Sequence, residues 1–129
     1  MSCVYEGCQF LVNDHNLIEF QGRRYCEFHL PIIDTVGNTS VKKEWTEEEV
    51  EGFNKRIISL IQEWEDNNQP ANLGGVVFPG DIGFSKMRLL RVDFRKAYFS
   101  GVADFQKAIF EDFAIFKGAQ FMDFADKSS

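Results

Sequence analysis

The sequence predicts a mainly β protein, with a short coiled solenoid in its second half preceded by a small metal-stabilised hairpin segment and one amphipathic helix. Three observations predict this. Large residues recur at steps of five or six between residues 84 and 121, two close pairs of Cys and His stand near the N-terminus, and a capped apolar stripe of helical period lies between them. The expected segments are 1–34 for the metal-bound hairpin, 35–70 for linker and helix (helix about 47–66), and 71–129 for the solenoid.

The repeat is clearest in "AYFSGVADFQKAIF", where Phe99, Phe105 and Phe110 each follow a small residue by two places: Ala97, Ala103 and Ala108. Neither a helix, with period 3.6, nor a strand, with period 2, asks for that spacing. Extended both ways, the central positions are Phe84, Leu89, Phe94, Phe99, Phe105, Phe110, Phe116 and Phe121. The small positions are Ile82, Met87, Val92, Ala97, Ala103, Ala108, Ala114 and Ala119. Val102, Phe113 and Phe124 recur at one phase of a longer 11-residue unit, where an extra residue must be accommodated. A coiled chain that turns at each unit satisfies this pattern. Coils stack by backbone hydrogen bonds about 4.8 Å apart, the large residues form interior columns, and the small ones fill the corners. Arg95, Lys96, Gln106, Lys107 and Lys117 then point outward, and the central phenylalanines are expected to be nearly fully buried.

"VDFRK" and "ADFQK" match a unit of small residue, Asp or Asn, Leu or Phe, and two polar residues; "KAYFS" and "GAQFM" match it in their small and central places. Over residues 76 to about 126 the chain thus resembles the pentapeptide-repeat family. The resemblance implies a right-handed, four-sided (quadrilateral) β-helix with four units per coil, and so two to three coils here. "KMRLL" departs from the unit by placing Met87 in the small position, and the six-residue steps imply bulged corners.

Near the N-terminus, Cys3-x4-Cys8 and Cys26-x2-His29 flank a hairpin pattern, Leu17–Phe20, Gln21-Gly22, Arg23–Cys26. Close-spaced pairs let two ligands converge from one turn, and a hairpin brings the second pair across to complete a tetrahedral Zn²⁺ site. Every cysteine of the chain is used. Cys3, Cys8, Cys26 and His29 are the expected ligands of a closed structural zinc, with His15 the alternative to His29. So small a segment lacks a core of its own, and the metal would supply its folding energy.

Thr46 and Glu49 form a capping-box pattern, with Trp45 and Val50 placed as a hydrophobic staple. Glu47, Glu48 and Glu49 load the positive end of the helix dipole. Val50, Phe53, Ile57, Leu60, Ile61 and Trp64 make one apolar stripe, and Asn67, Asn68 and Pro70 end it. The stripe is expected to pack inside this molecule, over the raw first coil of the solenoid.

Composition narrows the function classes. An odd cysteine count fits reduced or metal-bound thiols better than a disulfide framework; with no signal-peptide pattern at the start, a cytoplasmic location follows as the expectation. No P-loop, nucleophile elbow or paired His-Glu metalloprotease motif is present, and Gly-rich "LGGVVFPGD" lacks the Lys-Ser/Thr that holds a nucleotide. A non-enzymatic interaction or scaffold module that binds a protein partner or a second copy is therefore expected, with neither a membrane nor a small-molecule substrate.

Two other functions stand beside it. The family resemblance implies duplex-DNA mimicry toward a type II topoisomerase, and the basic stretch 86–96 with the zinc knuckle suggests nucleic-acid binding. Mimicry needs a broadly negative surface. Residues 1–70 carry 13 acids and 6 bases, whereas 71–129 carry 7 acids and 8 bases, so the acidity lies outside the solenoid. After Phe121 the next central place falls on Lys127, and the sequence predicts an edge near Phe121 and Phe124 that either continues into the repeats of a longer chain or invites self-association or a partner.

Overall fold

In the computed structural model, which describes residues 3–5, 8–10 and 16–122, the chain forms a hairpin, a helix and a β-helix-like stack of parallel strands. β1 (Ile18–Phe20) and β2 (Arg23–Tyr25) pair antiparallel about a two-residue turn, Gln21-Gly22, both with positive φ (53° and 76°). That geometry matches the strand twist and explains the Gly at the second place. A one-turn 3-10 helix, Val41–Glu44, leads into α1 (Glu47–Asp66). Thr46 caps α1, and the expected capping box with Glu49 is formed.

The remaining strands are β3 (Ala71–Asn72), β4 (Val77–Phe78), β5 (Ile82–Gly83), β6 (Arg88–Asp93), β7 (Tyr98–Phe99), β8 (Ala103–Asp104), β9 (Ile109–Ile115) and β10 (Gln120–Phe121). They form three parallel sheets, ordered β3-β6-β9, β4-β7-β10 and β5-β8. Partners lie 21 residues apart at Val77↔Tyr98, Ile82↔Ala103 and Leu89↔Phe110, and 22 apart at Arg91↔Phe113 and Tyr98↔Gln120. The register shifts between Leu89 and Arg91, and this bulge takes up the extra residue of the Phe113 phase.

Identical positions of successive coils stack as columns. Phe78, Phe99 and Phe121 lie nearly parallel at centroid separations of 4.5 and 4.7 Å; Phe84 stacks on Phe105 at 5.0 Å and Phe94 on Phe116 at 5.1 Å. Leu73 and Phe78 occupy central places, so "LGGVVFPGD" belongs to the first coil rather than to a connection.

Burial departs from expectation at the last four central positions. Phe84, Leu89, Phe94 and Phe99 are wholly buried beside Ala97, but Phe105, Phe116 and Phe121 are only partly buried and Phe110 is 37% exposed. Ala103, Ala108, Ala114 and Ala119 are likewise partly exposed. A column residue is sealed only when a coil lies on both sides, and these positions have one neighbour among the described residues. Phe124 lies outside those residues.

The first coil is covered as expected. Phe53, Ile57 and Ile61 of α1 are fully buried, and Phe53 meets Phe78 edge-on at 6.0 Å. The hairpin segment does not have a separate interior. Cys3, Phe10, Cys26 and Phe28 share one apolar cluster with the helix stripe and with Leu73, Phe78, Phe84 and Phe94. No helix among the described residues is long and apolar enough to cross a membrane.

Candidate metal centre

Local folding converges four ligand atoms. The β1–β2 hairpin delivers Cys26, and a backbone bond from Leu30 N–H to the Cys26 carbonyl (3.0 Å) turns the chain so that His29 faces back toward Cys26. Val4 N–H donates to the Arg24 carbonyl at 2.8 Å, which lays the segment carrying Cys3 beside the hairpin. Cys8 N–H donates to the Tyr5 carbonyl at 3.1 Å.

The ligand atoms of Cys3, Cys8, Cys26 and His29 all lie within 4.8 Å of one another. Cys26 Sγ is 3.3 Å and Cys3 Sγ 3.7 Å from His29 Nδ1, and Cys8 Sγ is 3.9 Å from Cys26 Sγ. A tetrahedral zinc with ordinary bond lengths requires about 3.8 Å between sulfurs and about 3.6 Å from sulfur to nitrogen. The donor set and its spacing therefore fit a tetrahedral ion, and the three cysteines are free of disulfides. His15, the alternative ligand, lies outside the described residues.

The surroundings orient the imidazole. Its Nε2 is 3.1 Å from the Gly74 carbonyl, which can only accept, so Nε2 carries the hydrogen and Nδ1 turns its lone pair toward the sulfurs. Tyr5 stacks on the ring at 4.0 Å. Tyr5 in turn lies over Gly75, where φ is +70° and a Cβ would stand 2.2 Å from the Tyr5 ring. Burial pushes the His29 pKa down to about 4, and it raises the thiols of Cys26 and Cys8 above their usual range. Neutral imidazole is the form a metal needs. The thiols of Cys26 and Cys8, costly to ionise without a cation, are the form a metal relieves.

A buried lysine locks the centre onto the first coil, and nothing in "SVKKEW" announces it. Lys42 is 2% exposed, and its Nζ donates to the carbonyls of Glu27 (2.7 Å), Leu30 (3.0 Å) and Val77 (2.7 Å). It also stands 4.9 Å from the Phe53 ring centroid. Val77 N–H donates to the Phe28 carbonyl, and Gln9 Nε2 donates to the carbonyls of Asn72 and Gly74. Leu73 and Phe78 extend the central column beyond the predicted start at Phe84, and Ala71-x-Leu73 and Val76-x-Phe78 carry the same small-x-large signal as the later repeats.

The basic stretch is largely occupied within the molecule. Arg88 pairs with Glu111, Arg95 with Asp93, and Arg91 Nη2 donates to Asn68 Oδ1.

Fold and site together define a stack of parallel-strand coils with a Cys3His centre seated on its first coil. Residues 75–126 match the family model described as Pentapeptide repeats (9 copies), and over that segment the chain is similar to the pentapeptide-repeat family. No curated protein and no solved structure matches the chain.

Proposed function

We propose that this chain is a non-enzymatic interaction or scaffold module in which Cys3, Cys8, Cys26 and His29 hold one structural Zn²⁺. The single observation that carries the reading is the convergence of those four donors at tetrahedral spacing, with His29 oriented from behind by Gly74. Four protein ligands leave no position for water or substrate, which favours a structural over a catalytic ion. A reducing, cytoplasmic compartment suits free thiols held by zinc.

Within this reading, the 21- and 22-residue registers support a right-handed, four-sided coil, and its ordered faces serve for docking. Ile109, Phe110 and Met122, 52%, 37% and 51% exposed, are the apolar side chains a protein partner or second copy would cover. Nucleic-acid binding draws less support because Arg88 and Arg95 already face carboxylates, and DNA mimicry because the excess of acids lies outside the repeats.

The test is light scattering combined with a pull-down, using the wild-type chain and Phe110→Glu. Self-association or a captured partner that the variant loses supports the reading. A wild-type monomer that captures nothing and binds duplex DNA would overturn it.

A further inference from the structure

The four ligands are unequally exposed. Cys3, Cys26 and His29 are 6%, 0% and 3% exposed, whereas Cys8 is only half-buried. A small solute therefore meets the centre at Cys8 first. Behind it, at 3.9 Å, stands Cys26 Sγ, so the thiolate most open to attack already has a second sulfur beside it. A zinc-bound thiolate keeps its nucleophilic electron pair. An accessible thiolate with a resolving sulfur nearby is the arrangement that peroxides oxidise selectively.

We infer that the centre is a peroxide-sensitive switch in which Cys8 is oxidised first and Cys26 resolves it, ejecting the metal. This rests on the zinc site proposed above. In the first step the Cys8 thiolate attacks the distal oxygen of a hydroperoxide. The O–O bond breaks, an alcohol or water leaves after taking up a proton, and Cys8 becomes a sulfenic acid. In the second step the Cys26 thiolate attacks the Cys8 sulfur, and hydroxide leaves and is protonated to water. One hydroperoxide is reduced by two electrons and two thiolates are oxidised to a disulfide. Cys3 and His29 alone cannot hold the ion, and Zn²⁺ is released.

Release has a structural consequence. Cys26 belongs to the continuous apolar cluster and His29 reaches the first coil through Gly74, so losing the ion loosens the cover of that coil.

The experiment treats zinc-loaded full-length protein with hydrogen peroxide, follows free zinc with a chromogenic chelator, and maps disulfides by mass spectrometry. The expected result is loss of the bound zinc in step with one Cys8–Cys26 disulfide per chain, reversed by thiol reductant and added zinc. Dimedone added with the peroxide should mark Cys8, and not Cys3 or Cys26, as the sulfenic acid. Zinc retained by the wild type, any disulfide other than Cys8–Cys26, or dimedone on Cys3 or Cys26 instead of Cys8 would each overturn the switch while leaving the zinc site standing. Protein that binds no zinc before peroxide is added would overturn both.

Discussion

His29 Nε2 lies 3.1 Å from the Gly74 carbonyl oxygen, joining the metal centre to the first turn of the repeat array. This bond, the Val77–Phe28 backbone bond and the shared apolar cluster tie the hairpin segment to the solenoid. Stability of one part is then stability of the other.

Removing the metal should therefore be felt beyond residues 1–34. Chelation, or Cys26→Ser, is expected to lower the thermal midpoint of a single unfolding transition that includes the β signal of the solenoid. Two separate transitions, with the solenoid's unmoved, would show that the parts fold independently.

Lys42→Met should cost about 3 kcal/mol or more, although it keeps much of the apolar stem. It strips three buried carbonyls of their donor, and unsatisfied buried acceptors are expensive. Urea denaturation measures this directly. A change near zero would mean that water reaches the Nζ position and takes its place.

Column positions with two stacking neighbours should respond differently from those with one. Phe94→Ala, at a wholly buried site ringed by Phe78, Phe84, Phe99, Phe105 and Phe116, is expected to cost about 3–5 kcal/mol. Phe110→Ala, already 37% exposed, should cost about 1–2 kcal/mol. Equal losses would show that Phe110 is covered in solution, as an interface would make it.

Acid should weaken the protein through His29. The unfolded chain binds this proton near pH 6.5, while the folded one resists it down to about 4. Between those values the unfolded state holds more protons. The contribution is thus whole above pH 6.5 and is lost as the pH falls toward 4, by at most about 3 kcal/mol. Protonation also competes with the metal, so zinc should leave over the same window. Melting profiles of metal-free protein from neutral pH down to about 4 test the first effect, and His29→Gln should flatten them.

The periodic features were legible in the sequence, because each obeys a local rule. The capping box at Thr46 and Glu49, the Gln21-Gly22 turn and the columns from Phe84 to Phe99 follow from spacing alone. The two ligand pairs were legible for the same reason, since each is set by one turn of chain. Lys42 was not legible, because its three acceptors come from residues 27, 30 and 77, which only the assembled fold brings together. The shared core was hidden likewise. Phe10 and Phe28 read as hairpin residues, and only packing puts them against Trp64 and Phe53 of α1. The partial exposure of Phe105, Phe110, Phe116 and Phe121 escaped because a repeat pattern assigns every copy the same burial, whereas stacking distinguishes coils with one neighbour from coils with two.

The most direct measurement is the metal content of full-length protein purified without chelator, read by native mass spectrometry alongside thiol titration. One zinc per chain, with Cys3, Cys8 and Cys26 protected from thiol reagent until the metal is removed, is the predicted result. A metal-free chain that binds no added zinc, and whose three thiols react at once, would contradict it.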